Sequence, residues 1–134
     1  MANLIDIEGI GPVYAAKLQE AGLKTTDDLL ESGGSASGRK DLAEKTGLSG
    51  TLILEWVNRA DLMRVKGVGS EYSDLLEAGG VDTVKELATR NAANLYAKLL
   101  EINEEKKLVR RPPTENEVTA WIADAKTLPA LITH

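Results

Sequence analysis

Ile7-Glu8-Gly9-Ile10-Gly11-Pro12-Val13-Tyr14-Ala15-Ala16-Lys17-Leu18 returns 58 residues later as Val65-Lys66-Gly67-Val68-Gly69-Ser70-Glu71-Tyr72-Ser73-Asp74-Leu75-Leu76. Glycines fall on glycines, tyrosine on tyrosine, and small Ala15 on small Ser73. The correspondence continues with Gly22-Leu23 on Gly80-Val81, Thr25 on Thr83, Asp28 on Glu86 and Leu29 on Leu87. Trp56 meets Trp121 at a shift of 65, so the second copy has gained seven residues between positions 88 and 114. This is the signature of a duplicated unit of roughly 60 residues. It predicts two units, 1–62 and 63–134. The join Trp56 to Lys66 has no Pro, Ser or Gly spacer, which predicts units packed together rather than strung on a linker.

Within each copy no stretch alternates apolar and polar residues with β-branched or aromatic enrichment, so no strands are expected. Helices are expected over 12–21, 26–32, 38–46, 49–61, 70–78, 83–90, 92–103 and 114–126. Thr25-x-x-Asp28, Thr83-x-x-Glu86 and Thr114-x-x-Glu117 read as capping boxes, and Pro12 suits the first helical position. Ser32-Gly33-Gly34-Ser35-Ala36-Ser37-Gly38 reads as a flexible loop, and Arg111-Pro112-Pro113 stops a helix. Leu52, Ile53, Trp56, Val57 and Ala60 recur at spacings of three and four, the pattern of one buried helical stripe. Trp56 and Trp121 are expected in the core, with Tyr14 and Tyr72 half-buried and their hydroxyls at the surface. Helices of two or three turns are marginal alone and must pack on one another, so the expected fold is an all-α helical bundle.

The composition restricts the chemistry. In 134 residues there is no cysteine, and the one histidine is His134. Disulfides, thiol nucleophiles, catalytic triads and Cys- or His-based metal sites are therefore excluded, and the chain reads as a non-enzyme with no cofactor and no metal. No apolar run reaches membrane-spanning length and no secretory leader is visible, so the expected setting is cytoplasmic, without a membrane partner. The formal net charge of −5 argues against strong nonspecific attraction to nucleic acid. The acidity is uneven: residues 1–62 carry 6 basic against 10 acidic side chains, and residues 63–134 carry 10 against 11.

An apolar-x-Gly-apolar-Gly turn feeding a helix allows positive φ and close backbone approach. It also aims the helix's first amides outward, where they suit an anion. At Gly9-Ile10-Gly11-Pro12-Val13-Tyr14-Ala15-Ala16-Lys17-Leu18 the sequence resembles the helix-hairpin-helix family, and the hairpin at Gly67–Gly69 resembles it more loosely. Leu42 to Ser49 followed by Ile53 to Val57 resembles a degenerate partner hairpin, with Pro112-Pro113-Thr114 to Trp121 as its altered counterpart. The chain is thus similar to two tandem double helix-hairpin-helix units. With Glu55 to Arg64 included, it also resembles, over nearly its whole length, a bacterial domain family of unknown function built on such hairpins.

The resemblance implies sequence-independent contact with nucleic-acid phosphates through the hairpin amides. The candidate contact residues are Gly9, Ile10, Gly11, Val13, Lys17, Lys45, Lys66, Gly67, Gly69, Arg110 and Arg111, with Arg39 and Lys40 flanking the second hairpin of the first unit. In the family, the residue two after the second glycine is often basic. Here it is Val13 or Glu71, and a carboxylate repels phosphate. The run Lys106 to Arg111 also reads as a solvated stretch offset by Glu101, Glu104 and Glu105. Retained glycines favour weak nucleic-acid binding. Val13, Glu71 and the acidic balance favour a protein-interaction or self-association module.

Overall fold

The computed structural model describes residues 3–133. A 3-10 turn, Leu4–Asp6, precedes eight α-helices: α1 Pro12–Glu20, α2 Thr26–Gly33, α3 Ala36–Thr46, α4 Gly50–Leu62, α5 Ser70–Ala78, α6 Val84–Ala88, α7 Ala92–Lys106 and α8 Glu115–Ala125. Among the described residues there is no strand; one isolated antiparallel bridge joins Asn3 to Thr25. The helices divide into two compact units. One runs to Asp61 and takes in the chain again from Leu131; the other is Leu62–Ala130.

The first unit begins with two tight turns, Ile7 N–H donating to Leu4 and Ile10 N–H to Ile7, each at 3.1 Å. Gly9 sits at φ +94°. A β-carbon there would lie 3.6 Å from the indole nitrogen of Trp56. Trp56 is buried on the stripe of α4 that also carries Ile53, Val57 and Ala60, and it meets the Tyr14 ring at 5.1 Å and 55°. Pro12 opens α1, where its missing N–H costs nothing. The helix closes by a paired exit: Leu23 N–H donates to Leu18 and Gly22 N–H to Gln19, with Gly22 at φ +93°. Only glycine takes that left-handed position without a side-chain penalty.

The second unit contains the same set of contacts. Val65 donates to Leu62 and Val68 to Val65. Gly67 lies at φ +89° under Trp121, and Trp121 meets Tyr72 at 5.0 Å and 52°. Helix α5 exits by Val81 to Leu76 and Gly80 to Glu77. Around this the core gathers Leu75, Leu76, Leu87, Leu99 and Val118. Helix α7 has 15 residues where α3 has 11. It ends at Lys107, the one non-glycine at positive φ among the described residues. Buried Asn103 then brackets Val109, donating to its carbonyl and accepting from its amide.

Two local expectations are corrected. Ser32 to Gly38 is not a flexible loop: α2 extends through Gly33 and α3 starts at Ala36, leaving Gly34 and Ser35 between them. The small residues are there for close packing. A β-carbon on Gly33 would come within 2.8 Å of the Val57 side chain, and one on Gly38 within 2.1 Å of the Ser32 carbonyl. Ser35 caps α3 by accepting from Gly38 N–H. The second correction concerns Thr83-x-x-Glu86, where only the forward half of the box forms. Thr83 accepts from Glu86 N–H, while the Glu86 carboxylate turns to Arg90, which also holds the Gly80 carbonyl. The boxes at Thr25 and Thr114 are reciprocal.

The two glycines of a hairpin are held by different constraints. Gly67 combines positive φ with a tryptophan 3.3 Å from its absent β-carbon, whereas Gly69 has negative φ and open space. Gly67→Ala is expected to destabilise the protein by ~1–2 kcal/mol. Gly69→Ser, which supplies a helix-capping hydroxyl, is expected to stabilise it by ~0.5 kcal/mol. Urea unfolding followed by circular dichroism checks both.

Candidate nucleic-acid interface

Six of the eight helices start on a capping side chain: Thr25, Ser35, Ser49, Thr83, Asn91 and Thr114 each accept from a first-turn amide. Helices α1 and α5 start instead on Gly11 and Gly69, which offer no side chain. Their first amides have no intrahelical acceptor and carry the positive end of the helix dipole. The two hairpins are therefore where no capping side chain covers the first-turn amides.

The surroundings of the two tips differ. At the first, Gly9 and Gly11 are followed by Val13, 70% exposed, and Tyr14, 37% exposed. Ile10 is buried and its amide is bonded to Ile7. Lys17 lies in the last turn of α1, about 7.5 Å along the axis from its start. There it lines a groove with Lys45, Glu20 and Thr46. Lys45 is likewise in the last turn of its helix, so both lysines complement helix C-termini. Arg39 is spent inside unit 1, its guanidinium donating to the Gly33 and Gly34 carbonyls; Lys40 is exposed.

At the second tip the geometry converges. Gly67, Gly69, Ser70 and Glu71 line an open cleft of about 370 Å³ together with Arg110 and Arg111 from the connection before α8. Lys66 is exposed at the rim of the turn, and its backbone amide donates to Asp124 at 2.9 Å. Arg110 is exposed. Arg111 is engaged: its guanidinium makes two bonds to Glu117, at 2.9 and 3.0 Å, and stands 5.9 Å over the Tyr72 ring. The Tyr72 hydroxyl donates to the Arg111 carbonyl, and burial pushes its pKa up. Of the eleven candidates, the cleft thus unites Gly67, Gly69, Arg110 and Arg111, with Arg111 already neutralised.

Sequence reasoning did not pair Arg111 with Glu117. Glu117 was legible only as a cap, because six residues across a Pro-Pro connection follow no periodicity. Among the described residues no three acidic or histidine side chains cluster to hold a metal, and no helix is long and apolar enough to cross a membrane.

Residues 8–128 match the family model for a domain of unknown function, DUF4332. No solved structure matches the chain.

Glu117 is held down to about 2, first by the Arg111 guanidinium and then by the Thr114 amide. A carboxylate depressed on folding adds stability above its unfolded value, here 4.5, and loses it as pH falls through the folded one. The thermal midpoint is expected to drop between pH 4.5 and 2, and Glu117→Gln to flatten that drop. Calorimetric melts across this range check it.

Proposed function

The chain belongs to that family of unknown function, and we propose that it is a non-catalytic, duplicated helix-hairpin-helix module that makes weak, sequence-independent contacts with nucleic-acid phosphates. The carrying observation is the pairing, in one cleft, of the uncapped start of α5 with Arg110. Amides at a helix start and a guanidinium are complementary to phosphate oxygens and carry no base readout. Gly69 adds to this. Neither its backbone angle nor its packing requires glycine, and the absence of a side chain leaves the amides accessible from outside. The matched turns, exits and glycine–tryptophan contacts of the two units support the duplicated-hairpin reading.

The contact is weak for a definite reason. Glu71 lines the same cleft, in the first turn of α5, where a carboxylate already complements the helix dipole. An incoming phosphate has to displace or tolerate it. Residues 9–14 of the first hairpin include no lysine or arginine, so binding is centred on unit 2.

A second reading, a protein-interaction or self-association module, is favoured at unit 1 by the exposed Val13 beside Tyr14. Concentration-dependent light scattering that Val13→Lys abolishes would support it.

Titration of labelled duplex and single-stranded DNA at graded salt tests the nucleic-acid reading. With two phosphates neutralised the log-log salt slope is expected near about −2. Arg110→Glu should abolish binding, Glu71→Gln should strengthen it severalfold, and Lys17→Glu should leave it unchanged. Gly69→Ser should weaken binding while stabilising the fold. Absence of binding at low salt, or equal loss from Lys17→Glu and Arg110→Glu, refutes it.

A further inference from the structure

The corner between α2 and α3 holds a piece of chain from far away in sequence. Leu131–Thr133 has no regular secondary structure and lies against Gly34. Thr133 N–H donates to the Gly34 carbonyl at 2.8 Å. The Thr133 carbonyl accepts from Arg39, whose other terminal nitrogen holds the Gly33 and Gly34 carbonyls at 3.0 Å each. A β-carbon on Gly34 would stand 2.5 Å from the Leu131 carbonyl, so the segment approaches a backbone with no side chain in the way.

Every one of these contacts reads main chain. Of the segment's side chains Leu131 is 43% exposed, Thr133 is exposed and Ile132 between them is half-buried. Arg39, by contrast, is 7% exposed and bonded through one terminal nitrogen to two carbonyls of its own corner, while the other donates to the segment. The buried guanidinium and the Gly34 carbonyl, which also accepts from Arg39, offer one donor and one acceptor to the carbonyl and amide of a single incoming residue. That is the donor–acceptor pattern by which proteins recognise extended peptides through the backbone.

We propose that unit 1 carries a peptide-binding slot built from Gly33, Gly34 and Arg39, filled here by the chain's own Leu131–Thr133, and that it accepts the same segment from a second copy. The covalent tether gives the chain's own segment a high effective concentration, so it outcompetes an external one unless its hold is loosened. The residues of the slot belong to unit 1 and those of the hairpin cleft to unit 2.

The probe is a fluorescent peptide with the sequence of residues 129–134, compared with the same peptide N-methylated at the threonine. The two full-length proteins are wild type and Thr133→Pro, which lacks the amide that donates to Gly34 and changes no packed side chain. Anisotropy titration should show the peptide binding Thr133→Pro at least fivefold more tightly than wild type, with N-methylation abolishing binding. Arg39→Lys in the Thr133→Pro background should weaken it in the same way. The slot is refuted if the peptide binds neither protein, binds both alike, or binds as well when N-methylated. The N-methyl comparison holds even if the Arg39 variant does not fold.

Discussion

Each unit depends on an indole lying against a stretch of backbone that has no side chain. Trp56 reaches Gly9 and Trp121 reaches Gly67, and in both cases the glycine is also at positive φ. The two requirements reinforce one another: the left-handed turn brings the chain back across the helix, and the missing β-carbon lets the ring close over it. The hydrogen-bonded turns at Ile7 and Ile10, or Val65 and Val68, then lead into α1 and α5. The tyrosine in the first turn of each helix packs on the same ring. A large aromatic surface is thereby buried with few residues, which suits units too small to build an extended core.

Helix caps are where stability and availability oppose each other in this molecule. Six helices take a capping side chain and two do not, although serine or threonine at Gly11 or Gly69 meets no steric obstacle. Capped starts satisfy their amides internally and have less to offer a ligand. Uncapped starts do the reverse, a common arrangement in which a binding site is less stable than the scaffold permits. The basic connection before α8 shows a related compromise. Lys107 occupies a left-handed conformation that glycine would adopt without strain, within a segment that Asn103 fixes by two hydrogen bonds.

Much of the fold was legible in the sequence, and the reasons are local. Helix starts at Pro12, Thr25 and Thr114 are set by residues within one turn, so reading the chain in order finds them. The apolar stripe of α4 placed Trp56 inside, but did not show that it rests on Gly9, because that contact spans 47 residues. The Ser32 to Gly38 segment misled for a physical reason: glycine frees the chain in isolation, yet it also permits the closest helix packing, and only the partner side chains of Val57 and Leu42 decide between them. At the candidate site the glycines and Arg110 were legible as residue types. Their union in one cleft was not, nor was the engagement of Arg39 and Arg111, since both depend on where distant carbonyls and carboxylates arrive.

The corner that receives Leu131–Thr133 also bears on how the chain is made. A ribosome delivers residues 1–61 first and the last hydrogen-bonding partner of that unit only after the whole of 62–130 has followed. Domains that emerge early ordinarily fold as they appear. Here the nascent first unit waits with Arg39 short of one acceptor and Gly34 without its amide partner until residues 131–133 have emerged. Arrival of Leu131–Thr133 therefore reports that the second unit has been made, separating a chain that carries both units from one cut short before residue 131 by whether that corner is filled.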